Sequence, residues 1–149
     1  MAPESIDVPF RGRNLKIAGD RTIEDCRVIT WQVNGFHGWT ALHLNSNYDV
    51  YGGGIRLCYE TIKKGGDHEP ITLARVMTKK ANLIGLPFSG GKTVVRHCST
   101  DCPKALLIEA ISDLVVYLKG CYFIGGDLNF TEQDVKAVSS LLKNHPQRS

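Results

Sequence analysis

The sequence predicts an α/β domain, with strands interleaved with helices and a hairpin on one edge. Three observations lead there. Runs rich in β-branched residues interleave with amphipathic helical patterns along 149 residues. Asn34-Gly35 sits between two of those runs, a strong signal for a tight hairpin. Apolar residues after Pro70 recur at helical rather than strand spacing. The length suits one domain with a real core and no second full domain.

Residues 1–20, punctuated by Pro3, Pro9, Gly12 and Gly19, read as a loose or edge-packed leader, and 21–149 as the domain. "CRVITWQV" and "GWTALHLN" are the hairpin strands around "NGFHG". His43 alternates with Leu42 and Leu44 and reads as an ordinary strand residue. Trp31 and Trp39 are expected in the core. "YDVYGGGIRL" follows; glycines at 52–54 mark either a tight turn or a close backbone approach. "KKGGDHEP" is a loop, and Pro70 is placed to open a helix. Leu73, Val76, Met77, Ala81 and Ile84 then define one apolar face, expected to be buried. Lys80 falls inside that stripe, and Lys79 on the polar side. A lysine on a buried face needs a counter-charge or an anionic ligand, unless it snorkels out.

"DCPKALLIEAISDLVVYLKG" reads as a second amphipathic helix, opened by Asp101 and Pro103 and closed by Gly120. "CYFIGGDLN" reads as a buried strand ending at Gly125-Gly126. Thr131 and Asp134 form a capping-box pattern at the start of a third helix.

Several function classes are excluded by composition. The net charge of +3 comes from scattered lysines and arginines, so no basic stripe for nucleic acid is present. No apolar run reaches the ~18 residues of a membrane span, and the start lacks a signal-peptide core. A cytoplasmic location is expected. Cys26, Cys58, Cys98, Cys102 and Cys121 are an odd set without a disulfide framework, which fits free thiols. "HCSTDC" brings His97, Cys98 and Cys102 together, but no second Cys/His pair completes a zinc pattern, and a polar loop is expected. "IGLPFSGGKTVV" superficially resembles a phosphate loop. That motif would need glycine at 86, where Leu86 stands, and a helix rather than a β-rich run after the lysine.

Lys80, Lys92 and Asp127 therefore stand out. Lys92 follows a glycine pair and begins a β run; Asp127 follows a glycine pair at a strand end, where open α/β sheets commonly bind ligands. The motifs "GGIRL", "ARVMTKKANLIGLPFSGGKTVV" and "FIGGDLNFTEQDV", running in order from about Val28 to Leu142, resemble the amino-terminal, substrate-binding and dimerisation domain of the glutamate/leucine/phenylalanine/valine dehydrogenases. The twelve residues from Lys80 to Lys92 and thirty-five from Lys92 to Asp127 look like that family's leucine-type spacing.

The resemblance implies roles position by position. Gly53 and Gly54 let backbone approach the substrate, and Met77 lines the pocket. Lys80 binds the α-carboxylate of an amino acid or 2-oxo acid. Lys92 is the catalytic lysine, and Asp127 shuttles the amino-group proton. Two neighbouring, partly desolvated lysines favour a neutral amine on one of them, as a base requires.

This sequence also departs from the family pattern. Ser89 replaces the usual third glycine. Gly52 stands where glutamate-type members carry a side-chain-binding lysine, so glutamate is disfavoured and a larger apolar or aromatic side chain is expected. No Gly-x-Gly-x-x-Gly fingerprint is present, so no cofactor is expected in this chain; NAD(P) enters only through a nucleotide-binding domain or a separate partner chain. The resemblance further implies a layered, mixed β-sheet with flanking helices, and a homo-oligomer associating through the early strands. Three functions remain open. The chain is a dehydrogenase substrate domain, or a free-standing enzyme using the Lys/Lys/Asp set for imine, proton-transfer, condensation or cyclisation chemistry, or a non-catalytic oligomerisation module.

Overall fold

A computed structural model describes residues 15–44, 48–59, 66–97 and 102–144. Its single sheet has six strands: β1 (Lys16–Ile23), β2 (Cys26–Val33), β3 (Phe36–His43), β4 (Tyr51–Tyr59), β5 (Ser89–His97) and β6 (Tyr122–Gly126). The helices are α1 (His68–Leu83), α2 (Lys104–Tyr117) and α3 (Glu132–Lys143). The spatial order is β1-β2-β3-β5-β4-β6. β1 to β3 and β5 pair antiparallel in sequence, whereas β4 runs parallel to both β5 and β6. The sheet is therefore mixed, as the resemblance implies.

The hairpin forms at its glycine. Val33 pairs with Phe36 across Asn34-Gly35, and both turn residues have positive φ, 32° and 94°. Strand β3 thus begins at Phe36, inside the segment read as a loop. Ahead of it, Lys16–Asp20 belong to the edge strand β1 and are not loose; residues 1–14 lie outside the described residues.

Strand periodicity sorts the core onto two faces. Ile29, Trp31 and Val33 of β2 point to a large cluster with Leu107, Ile111 and Leu114 of α2 and Val138 of α3. Cys26 and Val28 alternate to the opposite face and meet Ile71 and Ala74 of α1. Three layers result, with α1 on one side of the sheet and α2 and α3 on the other. Trp31 is buried as expected, and Trp39 half-buried. A polar chain crosses the larger core: Trp31 Nε1 donates to Thr40 Oγ1 (3.0 Å), which lies 2.8 Å from Thr93 Oγ1, itself 2.9 Å from the Tyr122 hydroxyl. Each buried polar atom in that chain is satisfied, which buried hydroxyls require.

Three sequence expectations are corrected. The buried face of α1 is Ile71, Ala74, Thr78 and Ala81, not the stripe from Leu73 to Ile84. Lys80 is exposed, Val76 is 40% exposed, and Ile84 lies past the helix end at 71%. The inward residues are small because α1 packs close to β5, and the larger apolar residues face sideways. Pro70 sits at the third helical position, after His68 and Glu69, still within the first turn. β6 is an edge strand with Phe123 61% exposed, so the expected buried strand is buried only at Tyr122 among its five residues. The capping box forms as read: Asp134 N–H donates to Thr131 Oγ1, and the Asp134 carboxylate accepts from Thr131 N–H. Gly120 follows α2 with φ +74°, while Asp101 and Cys98 lie outside the described residues.

Gly90 fixes how closely α1 approaches the sheet. A Cβ there would stand 1.9 Å from the Ala74 carbonyl oxygen and 2.7 Å from Thr78 N, both backbone. Gly90→Ala must force the helix from β5. We expect it to cost about 3 kcal/mol, the upper end of overpacking, measured as a shift in the urea unfolding curve.

Candidate functional site

Helix α1 lies over β3 and β5 and leaves the same face of β4 and β6 uncovered. The gap is a cleft of about 460 Å³. Its floor is glycine-rich: Gly53 and Gly54 of β4, and Gly125 and Gly126 of β6. One wall is the sideways face of α1, with Leu73, Val76, Met77 and Lys80. Phe123 faces it from β6, Ile124 contributes to the lining beside it, and Arg56, Lys92, Asp127 and Glu132 supply the charge.

Strand alternation explains why these side chains meet. Ile55 and Leu57 point into the larger core, so Gly54 and Arg56 face the α1 side. Val95 does the same on β5, so Lys92 and Arg96 face the α1 side with them. Tyr122 and Ile124 face the core on β6, which turns Gly125 and, beyond the strand, Asp127 towards the cleft. Lys92 binds Asp127 directly, although β4 runs between their strands. Two strand spacings are about 10 Å, so the lysine must lie flat across β4. Gly54 marks the crossing. A Cβ there would stand 3.0 Å from the Gly126 carbonyl oxygen, 3.1 Å from Asp127 Cβ and 3.3 Å from Lys92 Nζ.

Arg56, which the sequence reading did not single out, occupies the next outward-facing position on β4. Its Nε donates to Asp127 Oδ2 at 3.1 Å, the same oxygen that Lys92 binds. Its Nη1 donates to Glu69 Oε2 at 3.2 Å, and Arg96 Nη2 donates to Glu69 Oε1 at 2.7 Å. Partial burial pushes the Asp127 carboxyl up, but the hydrogen bond and charge of Lys92, helped by Arg56, outweigh it. The carboxyl is held below its ordinary value. The Lys92 ammonium, buried at the root of the cleft, has in Asp127 the counter-charge its position demands.

The predicted site residues are brought together with one exception. Gly53, Gly54, Met77, Lys80, Lys92 and Asp127 all line the cleft. Gly52 does not. A Cβ at 52 would lie 2.9 Å from the Phe88 ring, so that glycine makes room for Phe88 rather than opening the cleft. Gly53 also has a structural duty, since its Cβ would collide with the Gly91 carbonyl oxygen at 1.6 Å.

His43 does more than alternate. Its Nδ1 lies 2.7 Å from Thr78 Oγ1 and its Nε2 2.9 Å from Asp25 Oδ2. Thr78 Oγ1 in turn accepts the Gly90 N–H at 2.7 Å. Arg75 Nε and Nη2 hold Asp25 Oδ1 at 2.9 and 2.6 Å. This network ties α1 to the hairpin and to the strand that carries Lys92. Ser89, in place of a glycine, donates to the Tyr48 carbonyl at 3.1 Å. Cys26, Cys102 and Cys121 are free thiols, and no cluster of metal-ligating side chains occurs among the described residues. No helix among them is long and apolar enough to cross a membrane.

The mixed sheet sets a lysine–aspartate pair beside glycine-rich strands in a small cleft, and comparison with known proteins gives the family. The family model described as "Glu/Leu/Phe/Val dehydrogenase, dimerisation domain" matches residues 23–143. The chain belongs to that family. It is 32% identical over 102 residues to the NADP-specific glutamate dehydrogenase of Saccharolobus shibatae, spanning 67% of this chain and 22% of that enzyme. Among solved structures, L-tryptophan dehydrogenase from Nostoc punctiforme aligns with a TM-score of 0.65 at 23% identity, over 81% of this chain and 34% of that one. The hetero-hexameric glutamate dehydrogenase from Thermus thermophilus aligns with a TM-score of 0.61 at 20% identity, over 79% and 28%. These structures share the fold. This chain spans about a fifth to a third of their lengths.

Two outcomes test the site's construction. Gly54→Ala should separate Lys92 from Asp127 and raise the Asp127 pKa, read by NMR titration; an unchanged value would contradict the crossing geometry. Arg75 holds the Asp25 carboxyl down to about 2. Its stabilising effect is therefore full above the unfolded value of ~3.9 and is lost as pH falls through about 2. Urea midpoints at pH 5 and pH 2.5 should differ more for the wild type than for Asp25→Asn.

Proposed function

We propose that the cleft binds an amino acid, its 2-oxo acid or the derived imine, and that this domain supplies the substrate site and acid/base residues of an amino-acid dehydrogenase-type reaction. The observation that carries the reading is the direct Lys92–Asp127 pair in a cleft that also holds Lys80 and an apolar wall. Lys80, exposed at the rim, binds the α-carboxylate without the burial cost that its sequence position suggested. Leu73, Val76, Met77 and Phe123 take the substrate side chain, which favours an apolar or aromatic group over that of glutamate.

The chemistry follows from the pair. As an ammonium, Lys92 polarises the 2-oxo oxygen for attack by ammonia. As an amine, it takes a proton from water attacking the imine carbon. Asp127, held ionised, accepts the proton leaving the amino group and returns it in the reverse direction.

A dinucleotide does not fit the glycines described here. The Cβ positions of Gly53 and Gly90 are filled by the Gly91 and Ala74 carbonyls, so these glycines pack backbone on backbone and are not available to cradle a pyrophosphate. NAD(P) in such a reaction would be held by a nucleotide-binding domain or partner chain. Because the acid/base pair is complete within this domain, hydride-independent imine or proton-transfer chemistry is the second reading. Assembly of like chains is proposed through the open edge at β1.

Calorimetric titration with L-amino acids and 2-oxo acids tests the proposal. One side-chain class should saturate the site, and Lys80→Ala should weaken binding about 10- to 100-fold, as loss of a charge-assisted contact implies. Affinity unaffected by Lys80→Ala would overturn the assignment of the carboxylate site. A preference for glutamate would overturn the apolar specificity.

A further inference from the structure

We propose that Arg56 is the positioning residue of the Lys92–Asp127 pair: its guanidinium fixes the Asp127 carboxylate from one side while Glu69, held by Arg96, fixes the guanidinium from the other. This inference rests on the cleft being the substrate site, and names the residue that sets the geometry of its base.

The argument begins with what Asp127 lacks. It stands one residue past the end of an edge strand, half-buried, in a short bridge with Phe130. Lys92 reaches it by spanning β4 on a flexible four-carbon stem. A lysine is a rotatable point charge and places no directional constraint on a carboxylate. Arg56 is different. Ile55 pairs with Gly126, so the following residues, Arg56 and Asp127, are lateral neighbours facing the same way. Its fork makes two bonds in one plane, Nε to Asp127 at 3.1 Å and Nη1 to Glu69 at 3.2 Å. Rotation of the guanidinium would break both.

Glu69 is itself constrained. It stands in the first turn of α1, where the helix dipole favours a carboxylate. Its second oxygen accepts from Arg96 Nη2 at 2.7 Å, and Arg96 is 6% exposed on β5. The charges alternate from the cleft to the sheet interior: Lys92, Asp127, Arg56, Glu69, Arg96. Two elements, β5 through Lys92 and β4 through Arg56, thereby meet on one carboxylate oxygen at the end of a third, and α1 braces the arginine through Glu69. Lys92 and Arg56 share Oδ2, so either can leave it while the other holds Asp127 in place. Lys92 can thus turn to a substrate without releasing the aspartate. That is the service a positioning residue performs.

The test is the titration of Asp127 in the full chain, followed by ¹³C NMR of its carboxyl carbon and assigned with Asp127→Asn. Arg56→Gln should raise the Asp127 pKa by about one pH unit, the lower end of what an adjacent arginine imposes. Arg56→Lys keeps the charge but cannot serve Asp127 and Glu69 together. It should leave the value between those of the wild type and Arg56→Gln, and should be read alone against the wild type if Arg56→Gln does not fold. The acid limb of the pH dependence of ligand affinity should move with it. An Asp127 titration unchanged in the folded variants would overturn the proposal. The titration needs no substrate, so the two readings fail separately. A shifted titration in a protein that binds no amino acid or 2-oxo acid would uphold the role of Arg56 in placing Asp127, and would overturn the reading of the cleft.

Discussion

The molecule is organised around one side chain lying across a strand. Lys92 leaves β5, crosses β4 and ends on Asp127 beyond β6. That crossing dictates its surroundings. The strand beneath must be bare where the lysine passes, and it is, at Gly54. The helix on that face must stop short of β4, and α1 does, lying over β3 and β5. The strand carrying the lysine must not shift, because its position sets where the ammonium falls on the far side of β4. The cleft is what remains when all three conditions hold.

The third condition accounts for the polar network away from the cleft. Buried hydroxyls and imidazoles cost stability unless paired, so a network of them is retained only where every member is satisfied. Thr78 joins α1 to β5 through Gly90 N–H and to β3 through His43, and Asp25 with Arg75 closes the circuit. On the opposite face, the Trp31, Thr40, Thr93 and Tyr122 chain fixes β5 from below, one residue from Lys92. The lysine strand is held by directional bonds on both faces, where apolar contact alone would permit sliding.

Much of this was legible in the sequence, for identifiable reasons. The hairpin, the capping box and the α/β class follow from local chemistry: Asn-Gly at a turn, Thr and Asp three residues apart, strands interleaved with helices. Lys92 and Asp127 stood out because each follows glycines. The misreading of α1 is equally physical. Periodicity finds an apolar stripe but not what the stripe faces. Here Leu73, Val76 and Met77 line a cleft, while the core takes the smaller Ile71, Ala74, Thr78 and Ala81 because Gly90 lets the helix come close. Gly52 was misassigned because sequence cannot show that Phe88 fills the space beside it. Arg56 was inside a quoted motif yet unremarked, since its significance is the register that sets it beside Asp127. Edge strand β1 was missed because its glycine and charges resemble a leader.

The same geometry explains why the domain suits chemistry completed by another body. An α/β sheet covered on both faces buries its parallel strands. Among the described residues, this one leaves β4 and β6 uncovered on the α1 side, and Phe123 and Val76, both exposed apolar side chains, line the uncovered area. The Lys92–Asp127 pair lies at the bottom, already assembled and already neutralised by its own partners. A second body closing over that area would exclude water and strengthen each charge interaction beneath it, without any rearrangement of Lys92, Asp127 or Arg56. Preassembly is the condition for a division of labour in which one domain holds the substrate's polar groups and another delivers the remaining reactant. The constraint at Gly54 therefore does more than make room for a lysine: it lets the acid/base half of the proposed site be finished before its covering arrives.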